Sequence, residues 1–213
     1  TNASFPPYEY VEGDQVVGID PEIAAAVCEK MGYDLEIVDT EFDSLISGVA
    51  SGKYDFVMAG MTVTEERKQM VSFSNTYATG VQVIIVKDGS DIAEADDLAD
   101  KSVGVQENTT GDMFVSEDYP DADVQRYKNG ADAVQALAQG KVDAVVIDNE
   151  PAKVFVAENE GLVILESAYA VEEYAIAIAK DNDELLEKVN KALGELKEDG
   201  SLQKIIDKYI KAD

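Results

Sequence analysis

What most constrains this chain is an alternation. The stretch "VVGIDPEIAAAVCEKMGYDLEIV" reads strand, helix, strand. "EFDSLISGVASGKYDFVMAG" then supplies a second helix, stopped by Gly52, and a buried apolar strand. In the first helix Pro21 suits the opening turn and Asp20 is a candidate N-cap. Ile23, Ala26, Val27 and Met31 fall on one face, and Gly32 supplies the stop. Thr64 is the natural cap of a third helix, "TEERKQM", with Glu65 and Glu66 in its first turn. Strands and helices in alternation imply a mostly parallel sheet, with "LEIV" as one short strand in it.

The alternation breaks at "GVQVIIVK", a strand with no helix directly before it. A second set follows, with strands at "SVGVQ", "DVQRY", "DAVVI" and "LVILE" and helices starting near Gly111, Gly130 and Glu150. "EEYAIAIAK" reads as one long strand, and helices over 183–199 and 201–210 close the chain. Two α/β sets in a chain of 213 residues imply two small lobes. The expected ligand site is a cleft between them, outside the carboxyl ends of the strands.

Composition removes several function classes. Lysine and arginine number 17 against 44 aspartates and glutamates, a net charge of −27 that repels phosphate backbones, so no nucleic-acid partner is expected. There is no histidine, so the commonest general base and metal ligand are missing; no metal and no cofactor are expected. The one cysteine, Cys28, sits in an apolar helical pattern and reads as a small core residue. No apolar run is long enough to span a bilayer, and the lack of a leader leaves the compartment open.

Three places carry chemistry. Gly60 ends a buried strand, and "GMTVTEER" places Thr62, Thr64 and Arg67 after it. A guanidinium beside hydroxyls and a helix start makes a carboxylate clamp; the plain alternative is a surface pair with Glu66 or Asp55. "GVQENTTGD" puts Thr109, Thr110 and Gly111 at a helix start, another anion-binding feature or an ordinary cap. Asp148 ends a buried strand, where a carboxylate needs a cation or several donors; otherwise it caps "NEPAKVF". A clamp for a carboxylate and an acid for an ammonium together describe a free α-amino acid.

These residues resemble a known family. "TNASFPPYEY", "VGIDPEIAAAV", "FDSLISGVASGKYDFVMAGMTVTEERKQMVSFSNTY", "VGVQENTTGD" and "VDAVVIDNEPA" are similar, in order and spacing, to the extracytoplasmic solute-binding proteins of amino-acid ABC transporters. The resemblance implies the type II periplasmic-binding-protein fold: two Rossmann-like α/β lobes joined by two hinge strands, closing over a ligand in the inter-lobe cleft. Lobe 1 is expected over 1–77 plus 174–213 and lobe 2 over 78–173. By position, Arg67 binds the α-carboxylate with Thr62 and the Thr110 backbone. Asp148 binds the α-amino group, helped by the Gly60 carbonyl. Phe5 and Phe42 sandwich the side chain and Asn2 faces its end, where the plain reading of both phenylalanines is core packing. Ala59, Gln106 and Thr109 complete the expected ligand set.

The resemblance also implies partners: a free L-amino acid and a membrane permease, for a monomer outside the cytoplasm, either periplasmic or held at the cell surface as a lipoprotein through a segment not in this chain. Because Asn2, Phe5, Phe42 and Gln106 are neutral, glutamine is the expected ligand. Arginine is the rival, with Glu12 or Glu107 as the acid it needs. The ligand-sensing domain of a receptor and a dehydratase of the same fold are the other readings. Three departures stand out. The family's usual strand before "TNASF" is not in this chain, Asn2 stands where relatives often carry Asp, and Asn108 stands where many carry Gly, at a position suited to a left-handed turn.

Overall fold

A computed structural model describes residues Thr1–Lys211. The chain divides into two units, one of Thr1–Thr79 with the described residues from Glu173 onward, the other of Gly80–Glu172. Strands β1 (Ser4–Phe5), β2 (Glu9–Glu12) and β3 (Gln15–Val17) make an antiparallel sheet in that order, with Gly13 in a left-handed turn between the last two. Helix α1 (Ile19–Met31) follows directly. Its start is folded against the preceding loop, with the Ile19 and Asp20 N–H groups donating to the Pro7 and Tyr8 carbonyls at 3.1 and 2.9 Å. Ile19, Ile23, Val27 and Cys28 form the buried face, and Gly32 ends the helix in the left-handed conformation that the sequence predicts.

A single 3-10 turn at Phe42–Ser44 leads into α2 (Leu45–Ala50), then β4 (Phe56–Val57), α3 (Glu65–Met70) and β5 (Val71–Phe73). Thr64 caps α3 as expected, its hydroxyl accepting from the Arg67 N–H at 3.1 Å. Strand β6 (Ala78–Lys87) carries the chain into the second unit. There the order is β7 (Ser102–Gln106), α4 (Thr110–Asp118), β8 (Asp123–Tyr127), α5 (Gly130–Ala138), β9 (Ala144–Asp148), α6 (Asn149–Glu158) and β10 (Leu162–Ile164). Strand β11 (Ala170–Tyr174) pairs with β6 and brings the chain back. The sheet runs β10-β6-β9-β7-β8, with β7 parallel to both β8 and β9, and β6 antiparallel to β9 and β10. All five residues of β9 are buried, as a strand covered on both faces must be. The core of this unit joins Ile84, Val103, Val105, Val115 and Val146.

Back in the first unit, β12 (Ala177–Ala179) lies between β4 and β5, antiparallel to both. Helix α7 (Asp183–Glu198), capped by the Asn182 side chain, packs on α1, and α8 (Ser201–Tyr209) packs on both. Leu45, Val49, Val57, Met61, Val71 and Ala177 form a core on this sheet. Among the described residues no helix is long and apolar enough to cross a membrane.

Five sequence expectations are corrected here. "LEIV" forms no strand: Leu35–Val38 has no sheet partner among the described residues, and a cavity of about 850 Å3 opens beside it, lined also by Tyr54–Met58 and by α1. With that strand unpaired, the described sheets of the first unit are antiparallel rather than parallel. "DFVMAG" forms only the short β4. "EEYAIAIAK" is two strands, β11 and β12, because its halves join different sheets. Asp20 is not the N-cap of α1; Gly18 is, and the Asp20 side chain turns elsewhere.

Gly18 has φ of 130°, and a Cβ built on it would lie 2.3 Å from the Tyr8 carbonyl oxygen. Backbone cannot yield as a flexible side-chain tip does. Gly18→Ala is therefore expected to destabilise the protein by about 3 kcal/mol or more, whereas Gly13→Ala, in open space, costs roughly 1 kcal/mol for its backbone conformation alone. Urea unfolding of the two variants checks the contrast.

Candidate functional site

In the first unit the residues after β4 fold into one tight group. Gly60 takes a φ of 50°, which a side chain would strain, and a Cβ there would meet the Phe5 ring at 2.9 Å. Gly60 thus lies against Phe5, which in turn stacks on Tyr8 at 5.8 Å between ring centroids. The Gly60 N–H donates to Asp20 Oδ2 at 2.8 Å, and the Tyr77 hydroxyl donates to the same oxygen at 2.8 Å. Asp20 is enclosed, and burial raises its carboxyl above the ordinary range against the pull of these donors. Its neighbour Tyr77 is held well above its usual value by burial and by the negative charge of Asp20 and Glu9.

Arg67 is 7% exposed, so its setting is the interior and not the surface. Its Nη1 donates to the Thr62 carbonyl at 2.8 Å, and the guanidinium lies over the Phe42 ring at 5.5 Å. Backbone bond and ring together fix the plane of the guanidinium, which two-pronged binding of a planar anion requires. Thr62 is buried and bridges to Tyr174. Phe42 is half-buried on the core of Leu45 and Val49, so it is both packing and platform. Ala59 is a core residue. The amide of Asn2 is engaged locally, donating to the Thr40 carbonyl at 3.0 Å and accepting from the Ser4 hydroxyl at 2.9 Å.

In the second unit one amide gathers the candidates. Gln82, on β6 and 1% exposed, donates from Nε2 to Asp148 Oδ2 at 2.6 Å and to Glu172 Oε2 at 3.1 Å, with the Thr110 hydroxyl at 3.5 Å. Asp148 stands at the N-cap position of α6, but its side chain makes no cap bond there. Two buried acids therefore converge on one neutral donor, an arrangement that attracts a cation. Gly111 lets the start of α4 come this close: a Cβ there would stand 3.1 Å from both Gln82 Oε1 and the Val146 carbonyl. Thr109 caps α4 and donates to the Gln106 carbonyl at 2.8 Å. Asn108 adopts the left-handed φ of 62°. Gln106 is buried, with its amide on the Lys128 carbonyl at 3.2 Å.

Sequence reading missed Gln82 and Glu172. A polar residue inside the apolar run "GVQVIIVK" was the available signal for Gln82, since a buried amide needs partners. Glu172 stood in an acidic stretch with nothing to separate it from Glu173. Glu107 pairs with Lys128 at 2.8 Å, and Glu12 is exposed. Among the described residues no group of three or more His, Cys, Asp or Glu is placed to hold a metal. The cavity beside Leu35–Val38 includes none of the candidate ligand residues.

A buried guanidinium in the first unit and a buried acid pair in the second are groups of the kind that attract charged ligands. Residues 1–212 match the model of the bacterial extracellular solute-binding proteins, family 3, and the chain belongs to that family. The arginine-binding extracellular protein ArtP of Bacillus subtilis (strain 168) is 37% identical over 99% of this chain and 84% of its own length. The ABC transporter arginine-binding protein 1 of Escherichia coli (strain K12) is 32% identical over 98% of this chain and 88% of its own. Among solved structures, an ancestral arginine-binding protein bound to glutamine superposes with a TM-score of 0.94 at 41% identity, covering 99% of this chain and 96% of that one. The fold is that of the type II periplasmic binding proteins, as expected.

Gln82→Met keeps the length of the side chain and deletes the amide shared by Asp148 and Glu172. It is expected to destabilise the protein by about 2–3 kcal/mol, the scale of a lost donor to buried charged groups. Denaturant unfolding of the ligand-free protein measures this.

Proposed function

We propose that this chain is the solute-binding component of an amino-acid ABC importer, working outside the cytoplasm as a monomer that delivers a free L-α-amino acid to a membrane permease. The observation that carries the reading is Arg67: a buried guanidinium held in one plane by the Thr62 carbonyl and the Phe42 ring. In this role Arg67, Thr62 and the Thr110 backbone take the α-carboxylate. Asp148 takes the ammonium, with the Gly60 carbonyl. Phe5 and Phe42 cover the side chain, and Asn2, Ala59, Gln106 and Thr109 complete the surroundings. The names of the relatives and their ABC transporter setting support the class of ligand.

For the side chain, arginine is the first reading. Glu172 beside Asp148 is a second buried acid, and with Arg67 the formal charges cancel for a bound arginine but leave one negative charge for a bound glutamine. The Bacillus subtilis and Escherichia coli relatives, both arginine-binding proteins, agree. Glutamine is the second reading, supported by the neutral Asn2, Phe5, Phe42 and Gln106 and by the glutamine in the ancestral relative.

Calorimetry of the refolded, ligand-stripped protein across the common amino acids tests the class. Binding in the micromolar range or tighter is expected, within the ceiling of roughly 1.5 kcal/mol per heavy atom. No heat and no thermal shift with any amino acid would overturn it. Arg67→Lys should lose about 2–4 kcal/mol of affinity, since lysine keeps the charge and loses the fork. Asp148→Asn should lose a similar amount, with des-amino analogues binding the parent protein poorly.

Competition separates the side-chain readings. Arginine should displace a bound ligand at roughly tenfold lower concentration than glutamine, about 1.4 kcal/mol. Glu172→Gln should narrow that gap. A parent protein that prefers glutamine reverses the order of the two readings.

A further inference from the structure

The chain has two arginines, Arg67 and Arg126, and the second has no part in the ligand set above. We propose that Arg126 and Asp112 form a brace, a positioning pair that holds the turn over residues 108–110 in the shape that presents the Thr110 backbone to a bound carboxylate. The ligand part of this rests on the function proposed above; the hold on the turn does not.

Asp112 lies in the first turn of α4 and is buried, and both its oxygens are engaged. Oδ2 accepts from the Asn108 N–H at 3.1 Å and from Arg126 Nε at 3.0 Å. Oδ1 accepts from Arg126 Nη2 at 2.9 Å and from the Ser116 hydroxyl at 3.1 Å. The Ser116 oxygen in turn accepts from Arg126 Nη2 at 3.0 Å. The guanidinium thus takes the carboxylate with two prongs, which fixes its plane as well as its position. In an ordinary capping box the acid three residues past the cap returns to the N–H of the cap residue itself. Thr109 is the cap here, and Asp112 reaches one residue further back, to Asn108. Asn108 is the residue with the left-handed φ of 62°, a conformation that a side chain resists and that surrounding bonds must hold.

The other end of the brace is the sheet. Arg126 belongs to β8, in register with Val105 of β7, and the Glu107 N–H donates to the Tyr127 carbonyl at 2.9 Å. A loose surface ion pair holds little, whereas a fork on a buried carboxylate holds one geometry. The helix start held in this way bears a second sign of a ligand. Gln82 Oε1 is enclosed, meets no donor among the described residues, and would stand 3.1 Å from a Cβ at Gly111. A buried acceptor left open beside a helix start suits a ligand that carries a donor and an anionic group together, as an α-amino acid does.

Amide hydrogen exchange of the ligand-free protein, followed by NMR, tests the hold on the turn. The Asn108 amide should exchange about tenfold or more faster in Asp112→Ala and in Arg126→Lys than in the parent, with the β9 amides unchanged. Parent-like exchange at Asn108, or an equal rise in β9, overturns the brace. Affinity for arginine and for glutamine then tests positioning, on variants whose spectra show them fully folded. A loss of stability alone does not lower the affinity of a protein that is still folded, so a merely structural role leaves this readout unmoved. Arg126→Lys keeps the charge and loses the fork, and should bind the parent's preferred ligand about threefold or more weakly; Asp112→Ala should lose about tenfold or more. Parent-like affinity in either variant overturns the positioning role, and if Asp112→Ala does not fold, Arg126→Lys decides alone. If no amino acid binds the parent, the function above fails while exchange at Asn108 still decides the brace.

Discussion

The hydrogen bond from the Gly60 N–H to Asp20 is the constraint on which the first unit's candidate site depends. It ties the first turn of α1 to the loop after β4, and the Tyr77 hydroxyl on the same oxygen adds the segment that leads into β6. One enclosed carboxylate therefore fixes three pieces of chain far apart in sequence. A buried oxygen that accepts from two donors is rigid, because any displacement leaves it and both donors unmet. Gly60 answers with the one residue type that accepts the required φ and leaves room for the Phe5 ring. Gly18 does the same at the other end of this arrangement, where the α1 start presses on the Tyr8 carbonyl and so aims Asp20 inward.

The second unit solves a related problem differently. Its candidate residues gather on Gln82, a neutral amide among acids. An amide donor orders two carboxylates without cancelling their charge. The unit therefore keeps a negative field at Asp148 and Glu172, which a cationic group of a ligand can neutralise. Arg67 in the first unit is the opposite case, a cation whose plane is fixed by a carbonyl and an aromatic face.

Much of the fold was legible because local chemistry agreed with it. Thr64 and Gly32 sit at helix ends where cap rules put them, and the strands of the second unit fall on the runs that predicted them. The failures have one physical cause. A strand is defined by its neighbours, and Leu35–Val38 has the apolar alternation of a strand without a partner to bond. Asp20 was misread for a like reason: the residue type fits a cap, but a partner forty residues away claims one of its oxygens.

The sequence by itself determined the class of the protein and the identity of the charged groups. Arg67, Asp148 and the threonines carry their chemistry in their residue type and their place at element ends. Only the tertiary structure decided which of them are enclosed and what they meet there. Gln82 became the hub of the second unit, Glu172 joined Asp148 as a second acid, and Asp20 came to hold Gly60 and Tyr77. Those pairings join residues whose separation in the chain carries no local signal. Burial then sets their energetics, since the cost of an unmet charge exists only where water is excluded.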